Sequence, residues 1–572
     1  MQRKISAGLG DFEEVIEKNY LYVDKSAFIS EMLEIESKVT AVARPRRFGK
    51  TLNMSMLYYF FDIKNSKENR KLFKGLEIEK SPYFDKQGKY PVINITFKDV
   101  RSDNWEDCYK RIVSLIRREY REHLYLKNSD KLDEEDKKMY NEVLTGGADI
   151  SEYGLSLLGL SRYLHKHYGK KVVILVDEFD TPVIEGELEG YFKKASKFMQ
   201  GFLGGALKEN KNLYKGVVTG ITKLQGAGIF SGVNSADIFT IFDSEYKDKF
   251  GFTENEVKGL LKEYGLEEKE EAIREYYNGY NFDGEVIYNP YSVVKYIKKG
   301  KFGNFWLGSS DNDLARKKVK NLLDISEDEV LRKEVEDLLQ GKNVKLAIDE
   351  ALKISKDMIS ADIFNLLLYS GYLKYENYKE GKGDVGHAEV SIPNLEIKAI
   401  YKKTINEWIN EKYSKEEIEK LKKFLKSICE GNEVDIKSQL SNYLSRRSML
   451  DGEKVMEMGY HNFLFGLLQG LEGKYILDSN KESGVGRFDI MLTPIIEKGD
   501  GGVKRKGVVV ELKVGDKGKL KSLSKNALRQ IEDKKYYKNL EAQGIKRARL
   551  IGIAFHKKEV EVSLKEIDLF DK

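Results

Sequence analysis

Arg44-Pro45-Arg46-Arg47-Phe48-Gly49-Lys50-Thr51 follows the short apolar run Val39 to Ala43 and opens into the apolar, helix-like segment Leu52 to Phe61. Strand, loop and helix in that order make a phosphate cradle. The backbone N–H groups of the loop and the positive end of the helix face phosphate oxygens, Lys50 reaches toward the β/γ oxygens, and the Thr51 hydroxyl ligates Mg²⁺. The general pattern, G-x-x-x-x-G-K-[ST], opens on glycine, whereas Arg44 stands there in this chain. Arg46, Arg47, Phe48, Gly49, Lys50 and Thr51 are therefore candidate ATP-binding residues whose support must come from elsewhere in the sequence.

That support comes from Val172-Val173-Ile174-Leu175-Val176-Asp177-Glu178, an apolar strand pattern that ends in two acids. Asp177 is placed to support Mg²⁺ and Glu178 to activate a water. A buried strand leaving the core through two acids is common by itself, and its coupling to the loop gives it meaning. Thr219, closing the next strand before Gly220, can meet the γ-phosphate or the attacking water.

The chain has 572 residues, so about three to four domains are expected. Hydrophobic residues at 41% and charged residues at 33% describe a globular protein, and no apolar run approaches the ~20 residues that cross a bilayer. A cytoplasmic protein with no membrane partner is expected. Cys108 and Cys429 are the only cysteines, which excludes a disulfide framework or a cysteine zinc site. His165 and His167, two apart on a helix, face different ways. Any metal should be a hard ion held by carboxylates, such as Mg²⁺. The net charge of +5 is too balanced to argue for nucleic acid globally, but Glu497 to Asn526 holds nine Lys or Arg against four acids.

Along the chain, strand patterns at Val39 to Ala43, Pro91 to Phe97, Val172 to Val176, Gly216 to Val218 and Ile238 to Phe242 alternate with amphipathic helices, which argues a largely parallel α/β sheet. From about Thr253 the pattern is helical and polar, broken by the turn-rich Tyr277 to Gly284. A charged helical region is expected from Leu314 to Lys356. Helix Ala361 to Ser370 with strand pieces Tyr372 to Tyr375 and Ala388 to Ile392 outlines a winged helix, a module that either binds DNA or only packs. The helical stretch Ser414 to Tyr443 precedes a last domain: helix Val455 to Leu471, strands near Lys474 to Leu477, Arg487 to Leu492 and Gly507 to Leu512, helix Ser524 to Asn539, and strands at Arg549 to Ala554 and Val560 to Val562. The acidic cluster Asp133 to Asp136 reads as a solvated helix end.

That last order is the minimal core of a PD-(D/E)XK nuclease. Hydrolysis of a phosphodiester needs a metal to polarise the phosphate and acidify a water, with a cation close by. Asp489 and Glu511, on adjacent strands, can share one Mg²⁺ with the Leu512 backbone carbonyl. Lys513 falls on the face of Glu511 because strand side chains repeat every second residue. A lone Glu-x-Lys would be noise in so lysine-rich a chain; placed after Val508-Val509-Val510, with Asp489 on the preceding strand and a Gln530-bearing helix behind, it becomes a signal. Glu457 is the candidate acid from the first helix, with His461 one turn on, and Gln530 and Tyr537 lie on the helix after the motif.

Gly10-Asp11-Phe12, Tyr22-Val23-Asp24-Lys25-Ser26, the Arg44 to Thr51 loop, Tyr90-Pro91-Val92-Ile93, Val176-Asp177-Glu178-Phe179-Asp180, Phe230-Ser231-Gly232-Val233-Asn234 and Tyr288-Asn289-Pro290-Tyr291-Ser292 follow in order. With Ser370-Gly371-Tyr372-Leu373 and Ile392-Pro393-Asn394-Leu395-Glu396, they resemble bacterial AAA-ATPase-like proteins fused to a C-terminal PD-(D/E)XK domain, over essentially the whole chain. Arginine at the first loop position is usual in that family. After Thr219-Gly220, where the family tends to an arginine and a serine-lysine-glutamate element, this chain has Lys223 and Gln225-Gly226-Ala227-Gly228.

The resemblance implies an AAA-like P-loop ATPase core over 1–252, a helical lid over 253–312, a helical or winged-helix region over 313–445 and a restriction-endonuclease-like α/β domain over 446–572. ATP and Mg²⁺ are the expected cofactors, nucleic acid (DNA favoured) the expected partner, and a homo-oligomer a possible state. Two functions stay open: a nucleotide-controlled nuclease, or a nucleotide-gated regulatory protein that grips nucleic acid without cutting.

Overall fold

The computed structural model describes residues 3–221, 224–225, 236–306, 341–349, 352–353, 360–381, 385–412, 415–444, 474–479, 488–495 and 505–569, with isolated positions in 334–338 and 464–471. Lys223, Glu457, His461, Arg487 and Lys504, with segments 226–228 and 230–234 and most of the expected helical region 314–356, lie outside the described residues. The chain divides into two compact units, Met1–Ile405 and Asn406–Lys572.

Strands β1 (Val39–Ala43), β2 (Val92–Thr96), β3 (Val172–Asp177), β4 (Leu213–Gly220) and, after the two-residue β5 (Leu224–Gln225), β6 (Ala236–Phe239) belong to the first unit. Apart from β5 they form one sheet in the order β2-β3-β4-β1-β6, every pair parallel. β1 and β3 are buried at every position, as parallel strands covered on both faces must be. Register sets the carboxyl ends side by side, Ala43 opposite Gly220 and Thr96 opposite Asp177. Ligands of open α/β sheets bind outside that edge.

The surrounding helices carry their start and stop signals. Ile150–Tyr168 opens on a capping box between Asp149 and Glu152 and closes at Gly169, whose φ of +64° is left-handed. Asp133 caps Glu134–Thr145, but Asp136, expected to be solvated, is buried and takes Arg162 at 2.8 Å and Lys166 at 2.5 Å. The acidic cluster is thus half cap and half buried ion pair.

Beyond residue 252 the expected helical lid contains a small antiparallel sheet in the order β7-β9-β8: β7 (Phe252–Thr253), β8 (Tyr280–Phe282) and β9 (Glu285–Tyr288). Asp283 and Gly284, both at positive φ, make its two-residue turn. Strands of two to four residues are too short to show a period in sequence. A second correction falls in the expected charged helix. β10 (Val344–Asp349) buries Val344, Leu346 and Ile348 in alternation, the period of a strand.

The two-residue β11 (Leu352–Lys353) pairs in parallel with β5. β12 (Lys374–Lys379) and β13 (Val385–Ser391) complete a sheet β10-β13-β12 beside helix Ser360–Tyr369, the helix-and-hairpin outline of a winged helix. All residues from Ile363 to Ser370 are buried, so this helix offers no open face to a DNA groove, and it packs. Among the described residues no helix is long and apolar enough to cross a membrane.

Helices Lys415–Glu430 and Glu433–Leu444 of the second unit break at Gly431, where one continuous helical stretch was expected. Its sheet runs β14-β15-β16-β17-β18: β14 (Tyr475–Ser479), β15 (Ile490–Pro494), β16 (Gly507–Val514), β17 (Arg547–His556) and β18 (Glu559–Asp568). Only β16 and β17 pair in parallel. Val508, Val510 and Leu512 join the apolar cluster that includes Phe424 and Leu440; Val509 joins the opposite cluster with Ile531 and Leu550. Glu511 therefore shares the face of Val509, toward helix Leu520–Lys534. That helix comes so close to β17 that a Cβ on Gly552 would lie 2.2 Å from the Ser524 carbonyl oxygen. It ends at left-handed Lys535, earlier than expected, and Tyr537 caps a separate short helix, Lys538–Ala542.

Candidate nucleotide and metal sites

The phosphate loop leaves β1 through Arg44. This side chain is fully buried, and its guanidinium donates to the carbonyls of Ala43 (3.0 Å), Phe239 (3.2 Å), Thr240 (2.5 Å) and Glu245 (3.2 Å). Burial lowers its pKa to about 10, and the carbonyls meet its two terminal nitrogens while the buried Nε has no partner. Arg44 pins the root of the loop to the segment after β6 and does not enter the cradle. Phe48 is likewise an anchor, its ring edge-on to Tyr280 at 4.9 Å and tilted on Phe282 at 5.5 Å.

Gly49 adopts φ +88° with nothing near its absent side chain, and helix Lys50–Phe61 starts directly after it. Lys50 is buried, and its ammonium donates to the carbonyls of Arg44 (2.8 Å) and Pro45 (2.9 Å). Desolvation lowers its pKa, while Glu178, Asp177 and Asp180 oppose that shift. Thr51 donates its hydroxyl to Asp177 Oδ2 at 2.8 Å, and Thr219 donates to Asp177 Oδ1 at 2.5 Å. Two hydroxyls far apart in sequence thus converge on one buried carboxylate. Burial, then Glu178, raises the Asp177 pKa, and both hydroxyls counter this. A hydroxyl and a carboxylate 2.8 Å apart beside an open glycine turn form a donor set that suits Mg²⁺ with phosphate oxygens.

Glu178 sits at φ +52°, a left-handed conformation uncommon for a side-chain-bearing residue and frequent at functional sites. Its N–H donates to Thr219 Oγ1 at 3.4 Å, and Thr181 donates to its Oε2 at 3.5 Å. Asp180 has no assigned role in the sequence reading. It is buried, accepts the Ile221 N–H at 2.6 Å, and burial raises its pKa to about 6. Its signal was present as the third acid of Asp177-Glu178-Phe179-Asp180.

A cavity of about 250 Å³ opens over this edge, lined by Arg46 to Asn53 and Glu178 and roofed by Gly8, Gly10 and Tyr291. Arg47 stacks on the Tyr291 ring at 4.5 Å. Lys25, from the Tyr22 to Ser26 motif, also lines it, as do Lys98, Arg101 and Lys249, which were missed because isolated cations in so lysine-rich a chain carry no pattern. Lys25 is paired with Glu256 at 2.6 Å, Lys249 with Glu31 at 2.7 Å and Asp248 at 2.9 Å, and Arg101 lies 3.8 Å from Glu185, so most of this charge is met by carboxylates behind the cavity wall.

In the second unit, Asp489 directly precedes β15 and accepts the Leu512 N–H at 2.7 Å. Glu511 is buried; its Oε1 takes Lys513 Nζ at 3.2 Å and the Gln530 amide, whereas its Oε2 has no hydrogen-bond partner. Burial, then Asp489, pushes its pKa up to about 7, against the pull of Lys513. Gln530 also donates to the Tyr536 hydroxyl at 3.2 Å, and Tyr537 packs against the cluster of Ile531 and Leu550. Among the described residues no three His, Cys, Asp or Glu side chains gather into one cluster. A two-carboxylate set with a buried unpartnered oxygen fits a hard divalent cation that keeps part of its water shell.

Parallel order, loop and buried acid together give the first unit a P-loop NTPase fold, and the second unit is a mixed-sheet α/β fold. Residues 6–230 match the family model of a predicted AAA-ATPase, and residues 455–564 match that of the PD-(D/E)XK nuclease superfamily. The chain carries both, and this is the fusion that its ordered motifs resemble. It is 27% identical over 310 residues to an uncharacterized protein in the vnfD 5′ region of Azotobacter chroococcum mcd 1. The match covers 53% of this chain and 54% of the relative, so the chain spans about half the length of the curated relative it matches.

Proposed function

We propose that the first unit binds and hydrolyses ATP·Mg²⁺ and so controls a Mg²⁺-dependent nuclease in the second, acting on DNA in preference to RNA, in the cytoplasm of a bacterium. The observation that carries the nucleotide half is the convergence of Thr51 and Thr219 on Asp177. Thr51 and Asp177 would hold the nucleotide's Mg²⁺, and Asp489, Glu511 and the Leu512 carbonyl a second one; bound there, the ions neutralise phosphate charge and acidify water. Lys50 exchanges two backbone carbonyls for β/γ oxygens. Thr219 orients the attacking water through its hydroxyl, and Glu178 takes that water's proton as the bond from the γ-phosphorus to the bridging oxygen breaks, leaving ADP and phosphate.

In the nuclease, Lys513 presents its ammonium to the scissile phosphate or the water. The Gln530 amide steadies Glu511. The unpartnered Glu511 oxygen supports this half, since a buried carboxylate oxygen without a donor is costly unless something is to bind it. The protein works as a homo-oligomer or alone; sedimentation with and without nucleotide separates these. The reading is tested by the binding of a fluorescent ADP analogue and by phosphate release. Wild-type binding that persists in folded Lys50→Ala refutes the nucleotide half.

A further inference from the structure

The phosphate loop is held from outside the parallel sheet. Pro45 packs on Gly371, the turn between helix Ser360–Tyr369 and β12: a Cβ on Gly371 would lie 3.0 Å from Pro45 Cβ and 3.4 Å from Trp306 and Tyr280. Gly371 also adopts φ +84°. Phe48 leans on Tyr280 and Phe282, and the Arg44 guanidinium lies 5.1 Å over the Phe282 ring. One turn further, the Tyr375 hydroxyl donates to the Ile241 carbonyl at 3.0 Å and accepts the Asp283 N–H at 2.9 Å, tying β12 to the same hairpin. Tyr372, Trp306 and Ile400 reach the wall of the nucleotide cavity itself.

Lys50 spends its charge on the carbonyls of Arg44 and Pro45. Phosphates entering the cradle draw the ammonium away, and both carbonyls lose a charge-assisted donor. Arg44 is held by four carbonyls and stays. The adjustment falls on Pro45, whose Cβ leaves no free room for a side chain at Gly371. Two of the ordered motifs converge on the same wall: the Glu396 carboxylate accepts the Ser292 hydroxyl at 2.7 Å and the Trp306 N–H at 2.9 Å. Glu396 opens helix Leu395–Lys412, the helix that carries the chain past the division at residue 405.

We propose that the turn Ser370-Gly371-Tyr372, through its contact with Pro45, reads whether the phosphate loop is loaded and passes that state to β12, β13 and helix Leu395–Lys412. The winged-helix-like module is then a nucleotide-state reader built onto the loop and not a DNA-reading module. This rests on the nucleotide reading above and adds the element that responds to it.

The test is hydrogen exchange by mass spectrometry on the full chain, alone and saturated with Mg·ADP or Mg·AMP-PNP, in wild type, Gly371→Ala and Pro45→Gly. No cavity-lining residue falls in β12 or β13, so peptides over 374–391 report transmission and not direct contact. In wild type, nucleotide should change exchange at least threefold both in the loop and in 374–391. Gly371→Ala should leave loop protection in place and abolish the response of 374–391; where that variant fails to fold, Pro45→Gly, read at saturating nucleotide, should abolish the response of 374–391 whatever its own loop protection. Protection of the loop with 374–391 unchanged in wild type overturns the inference and leaves nucleotide binding standing. An unaltered 374–391 response in both variants overturns the contact as its route. Absence of nucleotide binding, read by fluorescence in the same samples, overturns the parent reading and the inference with it.

Discussion

Lys50, Glu178 and Glu396 each give a separate expectation. Lys50→Ala should weaken nucleotide binding by at least ~10²-fold, because no other loop side chain donates at the position of its ammonium; equilibrium fluorescence titration measures this. Glu178→Gln should bind nucleotide as wild type does and release phosphate roughly 10²-fold more slowly, since the amide cannot accept the proton; unchanged turnover removes the residue from that role. Glu396 faces the Ser292 hydroxyl, the Trp306 N–H and the phenols of Tyr277 and Tyr280, with no cation among the groups that shift it. Burial pushes its pKa up to about 7. The folded state then keeps a proton that the unfolded chain releases near its ordinary value of about 4.5. Stability is full below that value and falls as pH rises toward 7. Glu396→Gln should flatten this part of the profile of Tm against pH, and an unaltered slope contradicts the assignment.

At the scale of elements, close approach makes the sharpest expectation. Gly552→Ala sets a methyl 2.2 Å from a helix carbonyl and 2.6 Å from the Leu528 nitrogen, both backbone. Neither can rotate away, so we expect a loss of about 3 kcal/mol or more in the second unit, read as a lower urea midpoint. The same scale shows what sequence could reveal. Val172–Asp177 and Gly507–Val514 were legible because buried strands write continuous apolar runs, and their terminal acids stand out against them. β8 and β9 were not, because three or four residues hold at most two periods. β10 was lost in its surroundings: Lys345 and Asp349 look like the charged helix expected around them, and only its pairing with β13 reveals the strand. Of the sites, the loop, Asp177 and Glu511 could be read from local pattern. Lys98, Arg101 and the Pro45–Gly371 approach arise from tertiary proximity, which leaves no local signal.

For the whole molecule, the account joins a loop that handles nucleotide to a buried carboxylate that handles a second metal, in two units of one chain. The wild type should bind DNA with an affinity that falls steeply with salt, and that binding should survive Glu511→Ala, since the lysines around β16 contact phosphate without the metal. The joined claim meets its most direct test in strand cleavage by the purified full chain on labelled DNA and RNA, with Mg²⁺ and with or without ATP, beside Lys50→Ala and Glu511→Ala. The account predicts that wild type cuts DNA in Mg²⁺ at a rate that ATP changes, that Lys50→Ala cuts without responding to ATP, and that Glu511→Ala does not cut. Wild type that cleaves neither polymer under any of these conditions, or Glu511→Ala that cleaves as well as wild type, contradicts it.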